Sequence, residues 1–289
     1  MITKKRTNVW SPYFIRQLRV STPMILALTA CSAWAQEPST TLAHMKESQT
    51  INIGFREGVP FSFTDSTGKV TGYTIALCEK IAHQIGKKLG IKNLNIRFVP
   101  VSLSDRVTAL KSSKIDMDCG VNADTPERIG SVRFTRDYHN ADMRFITLRS
   151  SGIHTLADLK GKTVSILAGS KDLLEANRIN REQHLNLSFR TTVLVKDAFE
   201  MMAQHRTAAL FLDDVVVFPL INNSPHPTDF NVSQTTIGPK MHYAIMLKND
   251  DPQFLSLIDG LLGEIMSSPL NTQLSKKWLD ATSMMPSKK

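Results

Sequence analysis

The chain has 289 residues, 42% of them hydrophobic, and its 35 Lys and Arg against 26 Asp and Glu give a formal charge of +9. Five of those basic residues and none of the acidic ones lie in the first 35 positions, so the remainder carries +4. Its Lys and Arg are scattered singly, which argues against a nucleic-acid surface and suits attraction of a small anion.

Residues 1–35 read as an export signal. Lys4, Lys5, Arg6, Arg16 and Arg19 precede an apolar run from Met24 to Ala30, and Ala33-Trp34-Ala35 supplies an A-x-A site. This order predicts a secretory signal peptide cleaved after Ala35. Leu28-Thr29-Ala30-Cys31 also resembles the lipobox of bacterial lipoproteins, with Cys31 as the lipidated first residue. Both readings put the mature protein outside the cytoplasm, in the periplasm. No later stretch is long and apolar enough to span a membrane.

About 254 residues remain, enough for two modest lobes or one large domain. Residues 36–49 are polar and weakly patterned, which predicts a flexible lead-in. "INIGFR" then alternates as a strand. From Tyr73, the positions Ile75, Cys78, Ile81, Ala82, Ile85 and Leu89 recur at helical spacing, one amphipathic helix facing a sheet. "LNIRFVPV" is a strand, Ser104 to Leu110 a short helix and "IDMDCG" a strand.

After "MRFITL" a second series follows: "TLADLKGKTVSIL", a helix from about Lys171, "LSFRTTVLV", a helix near Phe199 to Gln204, and "AALFLDD". "HYAIML" is strand-like. Phe254, Leu255, Ile258, Leu262, Ile265 and Met266 then make an amphipathic helix, and Leu274 and Trp278 suit a last short one. Strands alternating with helices predict α/β lobes with largely parallel strands, whose ligands lie beyond the carboxyl ends of those strands.

Several residues at such places could carry chemistry. Arg56, Arg106 and Arg128 fall beside predicted strand ends. Guanidinium groups converging there would grip a carboxylate in two-pronged fashion; three solvated surface arginines is the plainer alternative. Ser170 stands where a strand gives way to a helix, as a cap, an anion donor or both. Asp213 ends a strand and could take a ligand ammonium while Asp214 starts the next helix as a cap; a purely structural role for either is the plainer alternative. Cys78 and Cys119 can pair in an oxidising compartment, but Cys78 equally suits a small core residue. There is no His or Cys cluster with metal-ligand spacing, so neither metal nor cofactor is expected.

The stretches "GFREGVPFSFTDSTGKVTGYTIALCEKIAHQIGKKL", "KIDMDCG" followed by "TPER", "TLADLKGKTVSILAGS", "ALFLDD" and "LKNDDPQF" resemble the periplasmic amino-acid-binding proteins of ABC transporters, solute-binding protein family 3, and most of all their glutamate/aspartate-binding branch. The resemblance implies a two-lobed periplasmic binding protein of type II, a monomer joined by two hinge strands near 143–149 and 242–247. Residues 50–145 and 244–283 would form lobe I and 146–243 lobe II. It implies that Arg128 grips the α-carboxylate, that Arg56 and Arg106 serve ligand carboxylates, and that Ser170 and Asp213 act from lobe II. The solute would be passed to a membrane permease.

The chain departs from that branch at Val121 and Ala123, where hydroxyl residues are usual, at Leu103 in place of a serine, and after Lys196-Asp197, where a histidine is missing. Lost donors in a buried site disfavour the same polar ligand by about 1 kcal/mol each. Carboxylate binding is expected to survive better than amino-group recognition. Two other functions stay open: a cyclohexadienyl dehydratase on the same fold, for which Glu57 and Asp214 are the available acids, and a ligand-sensing lobe pair.

Overall fold

The computed structural model describes residues 38–124, 128 and 130–279. The expected leader and Cys31 lie outside them, as do Pro126 and Glu127. The first described element corrects the expected flexible lead-in: Thr40–Ser48 is a helix (α1). Ser39 caps it, its hydroxyl accepting from the Leu42 N–H at 3.1 Å. Asp251, 210 residues away, accepts from the Ser39 hydroxyl at 2.7 Å and the Thr41 N–H at 3.0 Å. Only Thr41 and Met45 are buried on this helix, so no apolar period announces it; a distant carboxylate holds it.

The chain continues through β1 (Thr50–Phe55), the hairpin β2 (Phe63–Thr64) and β3 (Val70–Thr71), α2 (Tyr73–Leu89), β4 (Asn95–Pro100), α3 (Arg106–Lys111), β5 (Met117–Asp118) and β6 (Val132–Phe134). Next come β7 (His139–Ala141), β8 (Met143–Leu148), β9 (Thr163–Leu167), α4 (Lys171–Glu182), β10 (Ser188–Thr192), α5 (Val195–Ala203), β11 (Ala209–Asp213), α6 (Asp214–Asn222) and β12 (Phe230–Val232). β13 (Met241–Tyr243), β14 (Met246–Lys248), α7 (Pro252–Met266) and α8 (Pro269–Trp278) complete the described residues.

Two five-stranded sheets result, ordered β4-β1-β5-β14-β6 and β10-β9-β11-β8-β12. In the first, β1 runs parallel to β4 and β5, and the returning β14 lies antiparallel between β5 and β6. In the second, β9 runs parallel to β10 and β11, and β8 lies antiparallel between β11 and β12. The chain thus makes two α/β lobes of similar plan. Between them β7 pairs antiparallel with β13, His139 opposite Tyr243 and Ala141 opposite Met241.

That pair moves the first expected hinge. "MRFITL" is β8, an interior strand of the second sheet, so the crossing lies at 139–141 and not at 143–149. The apolar run reads as a strand in either place, and only its partners β11 and β12 decide which lobe owns it.

The helix expected from Tyr73 forms because its apolar stripe has a sheet to cover. Ile75, Cys78, Ile81, Ala82 and Ile85 are all buried. Burying each of the large ones is worth about 1.5–3 kcal/mol over leaving it in water. Cys78 on this helix is bonded to Cys119 just past β5, which settles the open question of their pairing. On α7, Phe254, Ile258, Leu262 and Ile265 form the matching stripe.

Candidate functional site

The parallel strands β1, β5, β9 and β11 send their carboxyl ends toward one cleft, and all seven residues expected at the site line it. Arg56, Arg106, Val121, Ala123 and Arg128 come from the first lobe, Ser170 and Asp213 from the second. The cleft has an empty volume of about 480 Å³, including space open to solvent. Leu103, Leu167, Val195, Leu212 and Val216 add apolar surface, which weakens competing hydration and strengthens charge interactions.

The first-lobe wall is cationic and braced. Arg106 opens α3 and is only 1% exposed; its Nη1 donates to Asn122 Oδ1 at 2.5 Å, and its Nε is buried with no acceptor. Asn122 in turn donates to the Asp118 carbonyl at 3.1 Å. Arg56 follows β1, partly exposed, with Nη2 donating to the Val121 carbonyl. Arg128 donates from Nη1 to the Ala123 carbonyl at 3.2 Å and from Nη2 across the cleft to the Gly169 carbonyl at 2.9 Å.

Val121 and Ala123 therefore contribute main-chain acceptors that orient two arginines. Gly120 permits this path: a Cβ there would stand 3.1 Å from both Arg56 Cγ and Asp118 Oδ1. Burial, with the nearby Arg128 and Arg56 cations, pushes Arg106 down to about 9. Burial also lowers Arg56, against the support of Asp118 and the tyrosines 243 and 138. Three guanidinium groups this close call for an anion.

The second-lobe wall is built on a helix start and a strand end. Ser170 caps α4, accepting from the Leu173 N–H at 3.1 Å and donating to the Leu167 carbonyl at 2.9 Å. Gly169 makes the turn before it at φ +70°. Lys171 crosses to the other wall, donating to the Asp124 carbonyl at 3.1 Å and lying 3.8 Å from its carboxylate. Asp213, the last residue of β11, is 6% exposed and accepts from the Tyr243 hydroxyl. Burial pushes Asp213 up to about 6, although Tyr243 pulls the other way. Burial and the Asp213 charge raise the Tyr243 phenol.

Among the cleft residues that escaped the sequence reading, two carry ionisable groups beside Asp213. Tyr243 ends β13, where its neighbours read only as strand. Asp172 is the second residue of α4, a position where acids are common for helix-dipole reasons, and its sequence context gave no sign that it is 5% exposed and faces the cleft. Burial and then Asp213 raise it well above the carboxylate range.

The acids considered for catalysis lie elsewhere. Glu57 is exposed and accepts from the Thr64 N–H and hydroxyl at 3.1 and 2.9 Å. Asp214 accepts from the Val215 N–H at 2.8 Å and pairs with Arg144 at 3.6 Å. Neither lines the cleft.

Comparison with known proteins agrees with this architecture. The bacterial extracellular solute-binding proteins, family 3, match residues 51–281. The glutamate/aspartate import solute-binding protein of Escherichia coli K12 is 27% identical over 271 residues, 91% of this chain and 88% of that one. A crystal structure of the cysteine-binding protein from Campylobacter jejuni superposes with a TM-score of 0.73 at 24% identity, covering 86% of this chain and 96% of that one. An ancestral amino-acid-binding protein described as a precursor of cyclohexadienyl dehydratase gives 0.70 at 22% identity, over 83% and 99%.

Proposed function

Since the chain belongs to the bacterial extracellular solute-binding proteins of family 3, we propose that it is the extracytoplasmic binding component of an ABC transporter, carrying glutamate, aspartate or a related carboxylate-bearing solute to a membrane permease. The observation that carries this reading is the convergence of Arg56, Arg106 and Arg128 on one cleft, with Arg106 destabilised as a cation by burial and then by the other two. A carboxylate offers such a cluster both neutralisation and paired acceptors. Arg128 would grip the solute's carboxylate from the first lobe while Ser170 and Asp213 serve it from the second. The protein acts as a periplasmic monomer, exported by its leader or tethered through Cys31.

The test is calorimetric titration of the exported protein, unfolded and refolded to strip carried-over ligand, with acidic, neutral and basic amino acids and simple dicarboxylates. Binding of an acidic amino acid that disappears in Arg128→Ala supports the reading. Failure of every carboxylate to bind overturns it.

One observation favours a second reading, the dehydratase. Asp172 is a buried carboxyl group lining the cleft, where burial and then the Asp213 charge favour its neutral form, the form in which a general acid works. Incubation with prephenate, followed for an aromatic product, separates turnover from binding.

A further inference from the structure

The cleft's second wall holds more negative charge than one ammonium acceptor requires. Asp172 and Asp213 come from different elements, α4 and β11, yet both carboxyl groups line the same cleft, and the charge of Asp213 is among the causes that raise Asp172. Both are at least nine-tenths buried, and both line the cleft. Asp213 uses Oδ2 to accept from Tyr243, while its Oδ1 is buried with no donor.

The dipole of α4 favours an acid at Asp172 but does not require it to be 5% exposed and to line the cleft. The charges facing the pair are Arg56 beyond β1, Lys171 on α4, Tyr243 on β13 and Asp214 on α6. Lys171 is engaged by Asp124, and Arg56 is turned onto the Val121 carbonyl. Among the described residues no ion pair joins a cation to Asp172 or Asp213.

We propose that Asp172 is a second ammonium-recognising carboxylate, which with Asp213 restricts the cleft to solutes bearing an amino group beside their carboxylate. This rests on the amino-acid-binding reading and sharpens it. An alkylammonium has three N–H donors and one positive charge, enough to satisfy the orphaned Asp213 oxygen and an Asp172 oxygen together. Burial and mutual repulsion in one cleft favour retention of a proton on the pair while no cation is bound. Binding therefore exchanges species in balance: the protonated pair and the ammonium give two carboxylates around the ammonium, and one proton goes to solvent. The pair replaces as ammonium acceptors the hydroxyls that Val121 and Ala123 lack. The sequence-level expectation that amino-group recognition is the weaker half is thereby reversed.

The test compares L-glutamate with glutarate and 2-oxoglutarate, which keep both carboxylates and lack the amino group. Titrations run from pH 5.5 to 8 in buffers of different ionisation enthalpy. If another amino acid is the solute found in the screen, it is compared with its own deamino analogue. The wild type should prefer the amino acid by about 10- to 100-fold, the worth of a charge-assisted hydrogen bond. It should release up to one proton, so that affinity rises with pH by as much as tenfold per unit before levelling off. Asp172→Asn should lose most of that preference and the proton release while keeping affinity for glutarate.

Asp172→Ser, with thermal unfolding of both variants, guards against misfolding, and the wild-type proton count needs no variant at all. Equal affinity for glutamate and glutarate, or unchanged selectivity and proton release in Asp172→Asn, overturns the inference alone. Binding by amino-free dicarboxylates only overturns it and leaves a carboxylate transporter. Failure of every solute to bind removes the transport reading and this one together.

Discussion

The two walls of the cleft solve opposite problems. On the first lobe, three cations are fixed by main-chain carbonyls and by Asn122, on a loop secured to α2 through Cys78–Cys119. On the second, two carboxyls are left close together, one oxygen without a donor, and both lean toward the neutral form. The difference assigns separate roles. On the proposed reading, the braced wall would supply permanent charge for a carboxylate, and the other wall charge that appears when a cation joins it.

The largest expected effect comes from unfastening the first wall. Replacing both Cys78 and Cys119 by Ala should cost about 4 kcal/mol of unfolding free energy in urea, the loop-closure value for partners 41 residues apart. Removing one cation is next: Arg128→Ala should weaken acidic-solute binding by about 2–4 kcal/mol in calorimetry, with little change in the unfolding midpoint. An equal loss of folding stability would mean that Arg128 serves the lobe contact to Gly169 and not the solute.

The second wall should announce itself through pH. Asp172 and Asp213 hold protons in the folded state above the ordinary carboxylate range, so the folded chain binds more protons than the unfolded one from about pH 4 upward. Stability of the ligand-free protein should therefore fall as pH rises from 4 toward 7, by about 3 kcal/mol from the Asp213 shift alone, and Asp213→Asn should flatten the slope. Asp251 has the opposite sense: its bonds to Ser39 and Thr41 hold it low, so its contribution is present at neutral pH and disappears in acid. The smallest effect belongs to Tyr243→Phe, about 1 kcal/mol of stability for one hydrogen bond to Asp213, read by thermal unfolding.

Much of this was legible in sequence wherever the pattern is local. The stripe from Ile75 to Ile85 is buried as its spacing requires, and the strand ends carrying Arg56 and Asp213 point into the cleft as open α/β sheets dictate. What could not be read depends on partners far along the chain. α1 is held by Asp251, β8 is assigned to its lobe by β11 and β12, and Asp172 looks like an ordinary helix-start acid until Asp213 is brought against it. Even the strand-like run "LSFRTTVLV" stops short: β10 ends at Thr192, level with Leu167 at the end of its partner β9, and Val193 and Leu194 stand exposed.

The bond between Cys78 and Cys119 ties the binding loop to the history of the molecule. Cys119 lies one residue before Gly120 and two before Val121, whose carbonyl orients Arg56. A copy kept where thiols stay reduced would lack this fastening between α2 and the loop after β5. Such a bond forms and persists in an oxidising compartment, so the binding loop takes this fastening only there.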